Sequence, residues 1–186
     1  MRERAAASAA RVETQRLVLR PWRQEDGAEL QRLFQDPAVR GERHLPPERV
    51  ATLAEASLRP WKVNGFGPWA ALDRGTGAWI GMIGLDELED WPGIDKIEVG
   101  FELHQAWWGR GLATEGARAA IAFGFEQAGL ARIISVTAAS HAAARRVMEK
   151  AGLSYQGTRT WMNPDVPVVW YAIDRASWYL STGRSR

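Results

Sequence analysis

The chain contains no cysteine. That excludes disulfides, thiolate metal ligands and a cysteine nucleophile together, and it argues against a secreted, disulfide-stapled protein. No run approaches the ~18 consecutive apolar residues that a membrane-spanning helix requires. Lysine is scarce, with only Lys62, Lys96 and Lys150, and the basic and acidic totals of 24 and 22 leave a formal charge of +2. A nucleic-acid binder shows a larger or more clustered basic excess, so none is expected. His44 and His104 have no carboxylate partner at ligand spacing, and no metal site is expected.

With 46% apolar residues in 186, the chain can bury one sizeable core. Residues 1–13 mix Arg, Ala and Ser without the apolar core of a secretory signal and read as a flexible tail. Residues 14–180 read as a single domain, and 181–186 as a frayed end. The expected location is cytoplasmic.

The periodicities predict strands at 16–20, 69–72, 79–85, 94–103, 133–136, 153–158 and 168–173. A helix follows Glu25 and Asp26, another opens at Pro46-Pro47 and ends near Pro60, and a third begins at Gly111 with two apolar stripes. A fourth spans His141 to Ala151. The succession of strand, buried helix and strand over 94–138 implies one parallel crossover in an otherwise antiparallel sheet of seven strands, an α+β fold. Gly100 inside its strand suggests a bulge or a close backbone approach.

Trp107-Trp108-Gly109-Arg110-Gly111-Leu112-Ala113-Thr114-Glu115 stands where a strand gives way to a buried helix. Two glycines leave successive N–H groups uncovered, and the helix N-terminus adds partial positive charge. That arrangement suits a diphosphate. It is not the dinucleotide fingerprint, because Thr114 occupies the third glycine's place, and the P-loop lysine is missing. A tight strand-to-helix turn is the simpler alternative.

Here the sequence resembles the GNAT N-acetyltransferases, and within them the branch that acetylates ribosomal-protein N-termini. The superfamily pattern Q/R-x-x-G-x-G/A falls on Trp108 to Ala113, with Trp108 departing at the first position. The resemblance extends to Arg16-Leu-x-Leu-Arg20, Thr76-Gly-x-x-Ile-Gly81, Glu98-Val-Gly-Phe101 and Arg146-Val-Met-Glu-Lys-Ala-Gly-Leu153. It implies acetyl-coenzyme A as donor, with the main chain of Gly109, Arg110, Gly111, Leu112, Ala113 and Thr114 on the diphosphate and Trp108 beside it. It implies that the strand at 97–103 splays from the one at 132–137, so that the pantetheine arm bonds main chain near Phe101 and Leu103. His141 stands where many relatives carry a cofactor-contacting asparagine. An N–H near Val99 or Phe101 would face the developing oxyanion.

The acceptor implied is a primary amine, on a protein N-terminus or a small molecule. It must lose a proton, and Glu98 is the base expected to take it through water, with Glu102 second; a solvated strand face is the alternative for both. Glu115 follows the turn and matches the pattern of the branch, and it reads equally as N-terminal helix charge. Ala144 and Met148 occupy positions where relatives carry serine and a proton-donating tyrosine. Those departures motivate an alternative, a non-catalytic acyl-coenzyme A sensor. The family often dimerises, so a homodimer is a further expectation. Trp22, Trp61, Trp69 and Trp161 fall on segments that flank the acceptor site in this fold, but ordinary packing is the favoured reading of them.

Overall fold

The structure, a computed structural model, describes residues 11–40, 59–88 and 90–183. In chain order these form β1 (Val12–Glu13), β2 (Leu17–Pro21), a 3-10 turn (Gln24–Asp26), α1 (Gly27–Gln35), α2 (Pro37–Arg40), α3 (Arg59–Val63), β3 (Pro68–Asp73), β4 (Trp79–Glu87) and β5 (Ile97–Leu103). Then come a second 3-10 turn (Gln105–Trp107), α4 (Leu112–Glu126), β6 (Arg132–Ala138), α5 (Ala142–Ala151), β7 (Ser154–Trp161), β8 (Asn163–Asp174) and α6 (Arg175–Thr182). The strands make one eight-stranded sheet in the order β1-β2-β3-β4-β5-β6-β8-β7. The long strands expected from alternation are β2 to β8; Val12 and Glu13, read as tail, add a two-residue edge strand paired with Val18 and Leu19.

The pattern of alternating residues decides which face each strand buries. In β2, Leu17 and Leu19 are fully buried, and each contributes about 1.5–3 kcal/mol by leaving water. One face of the sheet is covered by α4 and α5, with Ile83, Leu85, Val99 and Ile133 packed against Leu112, Ala117, Ala120, Ile121 and Met148. Both apolar stripes of α4 are buried over most of their length, as expected of a helix pressed against a sheet, with Ala113 and Ala119 part-buried. On the opposite face, Leu30, Leu33 and Phe34 of α1 pack with Trp22, Trp79 and Met82. A separate group joins Trp91, Ile134, Val168 and Ala172 to Trp161 and Trp170.

Several expectations are corrected. Residues 94–96 lie before β5, and Ile94, beside the Pro92-Gly93 bend, is almost fully exposed. Gly100 marks no bulge: it pairs with Gly84 in an unbroken β4–β5 register, and a Cβ there would meet nothing within 4 Å. Register shifts fall instead between Ala71 and Leu72 of β3 and, in β7, between Tyr155 and Gly157 and between Thr160 and Trp161. Asp26 is more than helix-terminal charge. It is buried and takes both guanidinium nitrogens of Arg20 at 2.7 Å, which holds that arginine above its ordinary pKa. The packing reading of Trp61 and Trp69, by contrast, holds: both pack into the main core with Phe123, and the Trp61 indole donates to the Pro68 carbonyl. The helix expected from Pro46, and His44, lie outside the described residues except for the final turn, α3.

Candidate acyl-donor cleft

The parallel β5–β6 pair shares a single register position, Glu98 with Ile134. Beyond it the strands part, and side chains take over from the main-chain ladder. The buried Ser135 hydroxyl donates to the Val99 carbonyl at 2.8 Å. The Val136 N–H donates to Glu98 Oε1 at 2.9 Å. Since the Val99 carbonyl faces β6, alternation along the strand turns the main-chain groups of Phe101 and Leu103 toward the same edge. That edge opens into a cleft of about 340 Å³.

The floor of the cleft is Phe101, Glu102 and Leu103. One wall is the loop from Trp107 through Gly111 and the start of α4 at Leu112, Ala113 and Thr114. The facing wall is one stripe of α5, in which Ala143, Arg146, Val147 and Lys150 recur at helical spacing behind His141 and Ala144. Ala38 and Val39 close one margin.

The loop owes its shape to two left-handed residues, Gly109 at φ 72° and Gly111 at φ 77°. A Cβ at Gly109 would touch nothing within 4 Å, so backbone conformation rather than crowding requires glycine there. Gly111 is the N-cap of α4 and supplies no side-chain cap, which leaves the first N–H groups of the helix for an anion. These residues fit an acyl-coenzyme A diphosphate.

Distant residues hold the loop in place. The Trp108 indole N–H donates to the Leu103 carbonyl at 2.7 Å, tying the loop to the end of β5. Arg16, just before β2, donates through its guanidinium to the Arg110 carbonyl at 2.8 Å and to Glu115 Oε2 at 2.7 Å. The other Glu115 oxygen accepts from the Arg16 N–H at 2.8 Å and the Thr14 hydroxyl at 2.6 Å. Burial pushes the Glu115 carboxyl up, but the Thr14 hydroxyl, the Arg16 N–H and the guanidinium outweigh it. Glu115 is held below the ordinary glutamate range.

Of the residues singled out from sequence, the structure gathers Phe101, Glu102, Leu103, Trp108, Gly109, Gly111, Leu112, Ala113, Thr114 and His141 around this one cleft. Arg110 is in the loop, but its guanidinium lies over the Trp107 ring, 4.9 Å from the centroid. Glu98 is at the point where the strands part and does not line the cleft. His141 is the N-cap of α5, with Nδ1 3.3 Å from the Thr137 hydroxyl. Ala144 lines the cleft, while Met148 is buried in the core. Sequence reasoning missed the Thr14–Arg16 clamp and the α5 wall. The 143-146-147-150 spacing could have revealed the wall, but no local signal joins Arg16 to a partner 99 residues away. Among the described residues no three His, Asp or Glu side chains gather as metal ligands, and no helix is long and apolar enough to cross a membrane.

Residues 16–154 match the family described as Acetyltransferase (GNAT) domain. The chain belongs to that family. It is an acetyl-coenzyme A-dependent acyltransferase. A curated relative is the FsC-acetyl coenzyme A-N(2)-transacetylase of Aspergillus fumigatus, 31% identical over 90% of this chain and 77% of its own. Among solved structures, the ribosomal-protein-S5-alanine acetyltransferase of Vibrio fischeri superposes with a TM-score of 0.74 at 15% identity, covering 90% of this chain and 98% of that one. The aminoglycoside acetyltransferase AAC(6′)-Ib, solved with coenzyme A, gives 0.73 at 22% identity, covering 90% and 99%. At such identities these two establish the shared fold.

Proposed function

We propose that this GNAT acetyltransferase moves an acetyl group to a primary amine, with the donor in the cleft between β5, α4 and α5. The observation that carries the reading is the continuity of three features: the gap past Glu98 and Ile134, the β5 edge at Phe101 and Leu103, and the left-handed glycine loop. The bound donor supplies a thioester carbonyl open to amine attack. The N–H groups of residues 109–114 hold the diphosphate, and the α4 dipole favours its charge. Main-chain groups of Phe101 and Leu103 bond the pantetheine arm as a neighbouring strand would. An N–H at Val99 or Phe101 faces the oxygen on which negative charge develops.

Protons are handled by carboxylates. An α-amino group titrates near ~8, so at neutral pH most of the acceptor is charged and a base accelerates attack. Glu98 takes that proton through water, and Glu102, on the same face of β5, is the second candidate. The buried Met148 cannot donate a proton, and a thiolate with pKa on the order of 8–9 leaves without one. The acceptor is a protein N-terminus or a small-molecule amine, and the protein works in the cytoplasm. A coupled thiol-release assay over a panel of N-terminal peptides, polyamines and aminoglycosides tests the reading. Turnover with at least one amine is expected, and acetyl-coenzyme A binding with no turnover on any amine would overturn it.

A further inference from the structure

Strand β5 has two faces, and the donor cleft uses one of them. Val99, Phe101 and Leu103 turn toward α4 and α5, in the main core or packed against it. Alternation turns Glu98, Gly100 and Glu102 to the opposite face. Because the donor cleft lies against the two helices, an amine reaches the thioester over the face that carries Gly100. Four glycines stand within strands: Gly81, Gly84, Gly100 and Gly157. Three of them have a local reason to lack a side chain. Gly81 and Gly157 sit at φ 152° and 151°, where an L side chain is strained. A Cβ at Gly84 would run into Pro68 Cα. Gly100 has neither reason. It is absent from the positive-φ glycines, and among the described residues a Cβ there would meet nothing within 4 Å. It is part-exposed, although β5 lies between β4 and β6 inside the sheet.

We infer that Gly100 is a specificity-determining residue: the hollow over it seats the part of the acceptor next to the attacking nitrogen. The inference rests on the amine-transfer reading above. A glycine inside a strand gives up chain entropy and packing, and where no neighbour crowds it, it suits the close approach of a ligand to the main chain. The position of the hollow fits that use. Gly100 lies two residues beyond Glu98, the one position of β5 in register with β6, and so stands at the gap. It is flanked by Val99 and Phe101, whose N–H groups face the oxyanion in that reading. Glu98 and Glu102 stand on the same face, each about 7 Å along the strand from it. A side chain at this position would fill the seat while leaving the helix-covered side of β5 as it is.

Steady-state kinetics of Gly100→Ala and Gly100→Val test this, with acetyl-coenzyme A as donor and spermidine, tobramycin and a short peptide with an N-terminal alanine as acceptors. For the amines that the wild type acetylates, kcat/KM should fall about tenfold in the alanine variant and about 100-fold in the valine variant, the scale on which one or two carbons discriminate in a fitted site. The loss should fall on the KM of the amine. Coenzyme A affinity by calorimetry should stay within about twofold of wild type, and thermal melting should be unchanged. Alanine adds only the atom whose place is open, so it decides the matter alone if the valine variant does not fold. Wild-type kcat/KM in the alanine variant, or a loss matched by weaker coenzyme A binding or a lower melting temperature, overturns this inference and leaves amine transfer standing. If the wild type acetylates none of the three acceptors, this inference falls, and the wider amine panel decides the reading beneath it.

Discussion

The Glu98 carboxylate accepts the Val136 N–H at 2.9 Å across the place where β5 and β6 part. The same residue that is proposed as the base therefore braces the gap that admits the donor. Glu98→Gln keeps a carbonyl acceptor but cannot take a proton. Glu98→Ala removes both. Alanine is expected to lower the unfolding free energy by about 1–3 kcal/mol, as for a part-buried N–H left unbonded. Glutamine should stay within about 0.5 kcal/mol of wild type yet slow acetyl transfer about 100-fold. Urea unfolding and steady-state rates separate the roles: full activity in the glutamine variant removes the base, and wild-type stability in the alanine variant removes the brace.

Glu115 links stability to pH. Its folded pKa lies below its unfolded one, so between the two values the unfolded chain binds more protons and stability rises with pH. The contribution is complete above about pH 4.3, the ordinary glutamate value, and disappears as pH falls through the lower folded value. Denaturation midpoints measured from pH 7 down to 3 should fall less steeply for Glu115→Gln than for wild type. Parallel curves would show that the Thr14–Arg16 clamp does not hold the carboxylate in its charged form.

Gly109→Ala isolates backbone conformation, since the added methyl meets no neighbour. A left-handed alanine costs about 1–2 kcal/mol, which the loop escapes by changing shape. Coenzyme A affinity should drop at least tenfold, on the order of the 1.4 kcal/mol per decade relation, while circular dichroism shows a folded protein. Gly111→Ala should behave alike. Undiminished affinity in both variants would mean that the loop does not hold the diphosphate.

Gly116 lets α4 sit close to the sheet: a Cβ there would run into Ile83 Cδ1. Gly116→Val overpacks this contact and should cost about 1–3 kcal/mol. Thermal melting reads the loss. The more informative measurement is rescue by Ile83→Ala in the same chain, which should recover part of it, because residues in contact do not behave additively. No recovery would place the cost elsewhere in α4.

Much of the site could be read from local pattern. The glycine pair, the two-stripe helix behind it and the alternating strand before it were all legible, because each depends on the conformational demands of a few consecutive residues. Glu115 was legible only as one of two options, and its partners Thr14 and Arg16 resolve it as the anchor of the loop. Gly100 misled, since a glycine in a strand signals a bulge only where its neighbours crowd, and here nothing does. Trp61 and Trp69 follow the packing reading, and the structure was needed to decide it: a large aromatic near a loop looks the same in sequence whether it lines a site or fills the core.

By itself, the sequence determined the order of the seven long strands, the single parallel crossover, the glycine turn before α4 and membership of the acetyltransferase family, but neither the edge strand β1 nor the closing helix α6. These follow from side-chain period, from the backbone freedom of glycine and from motifs in register. Only the tertiary structure decided that Ser135 and Glu98 bridge β5 and β6, that Arg16 clamps the loop, and that Arg146 and Lys150 line the cleft. Each of those relations joins or compares residues from different elements, and their geometry exists only once the sheet and its two covering helices have packed.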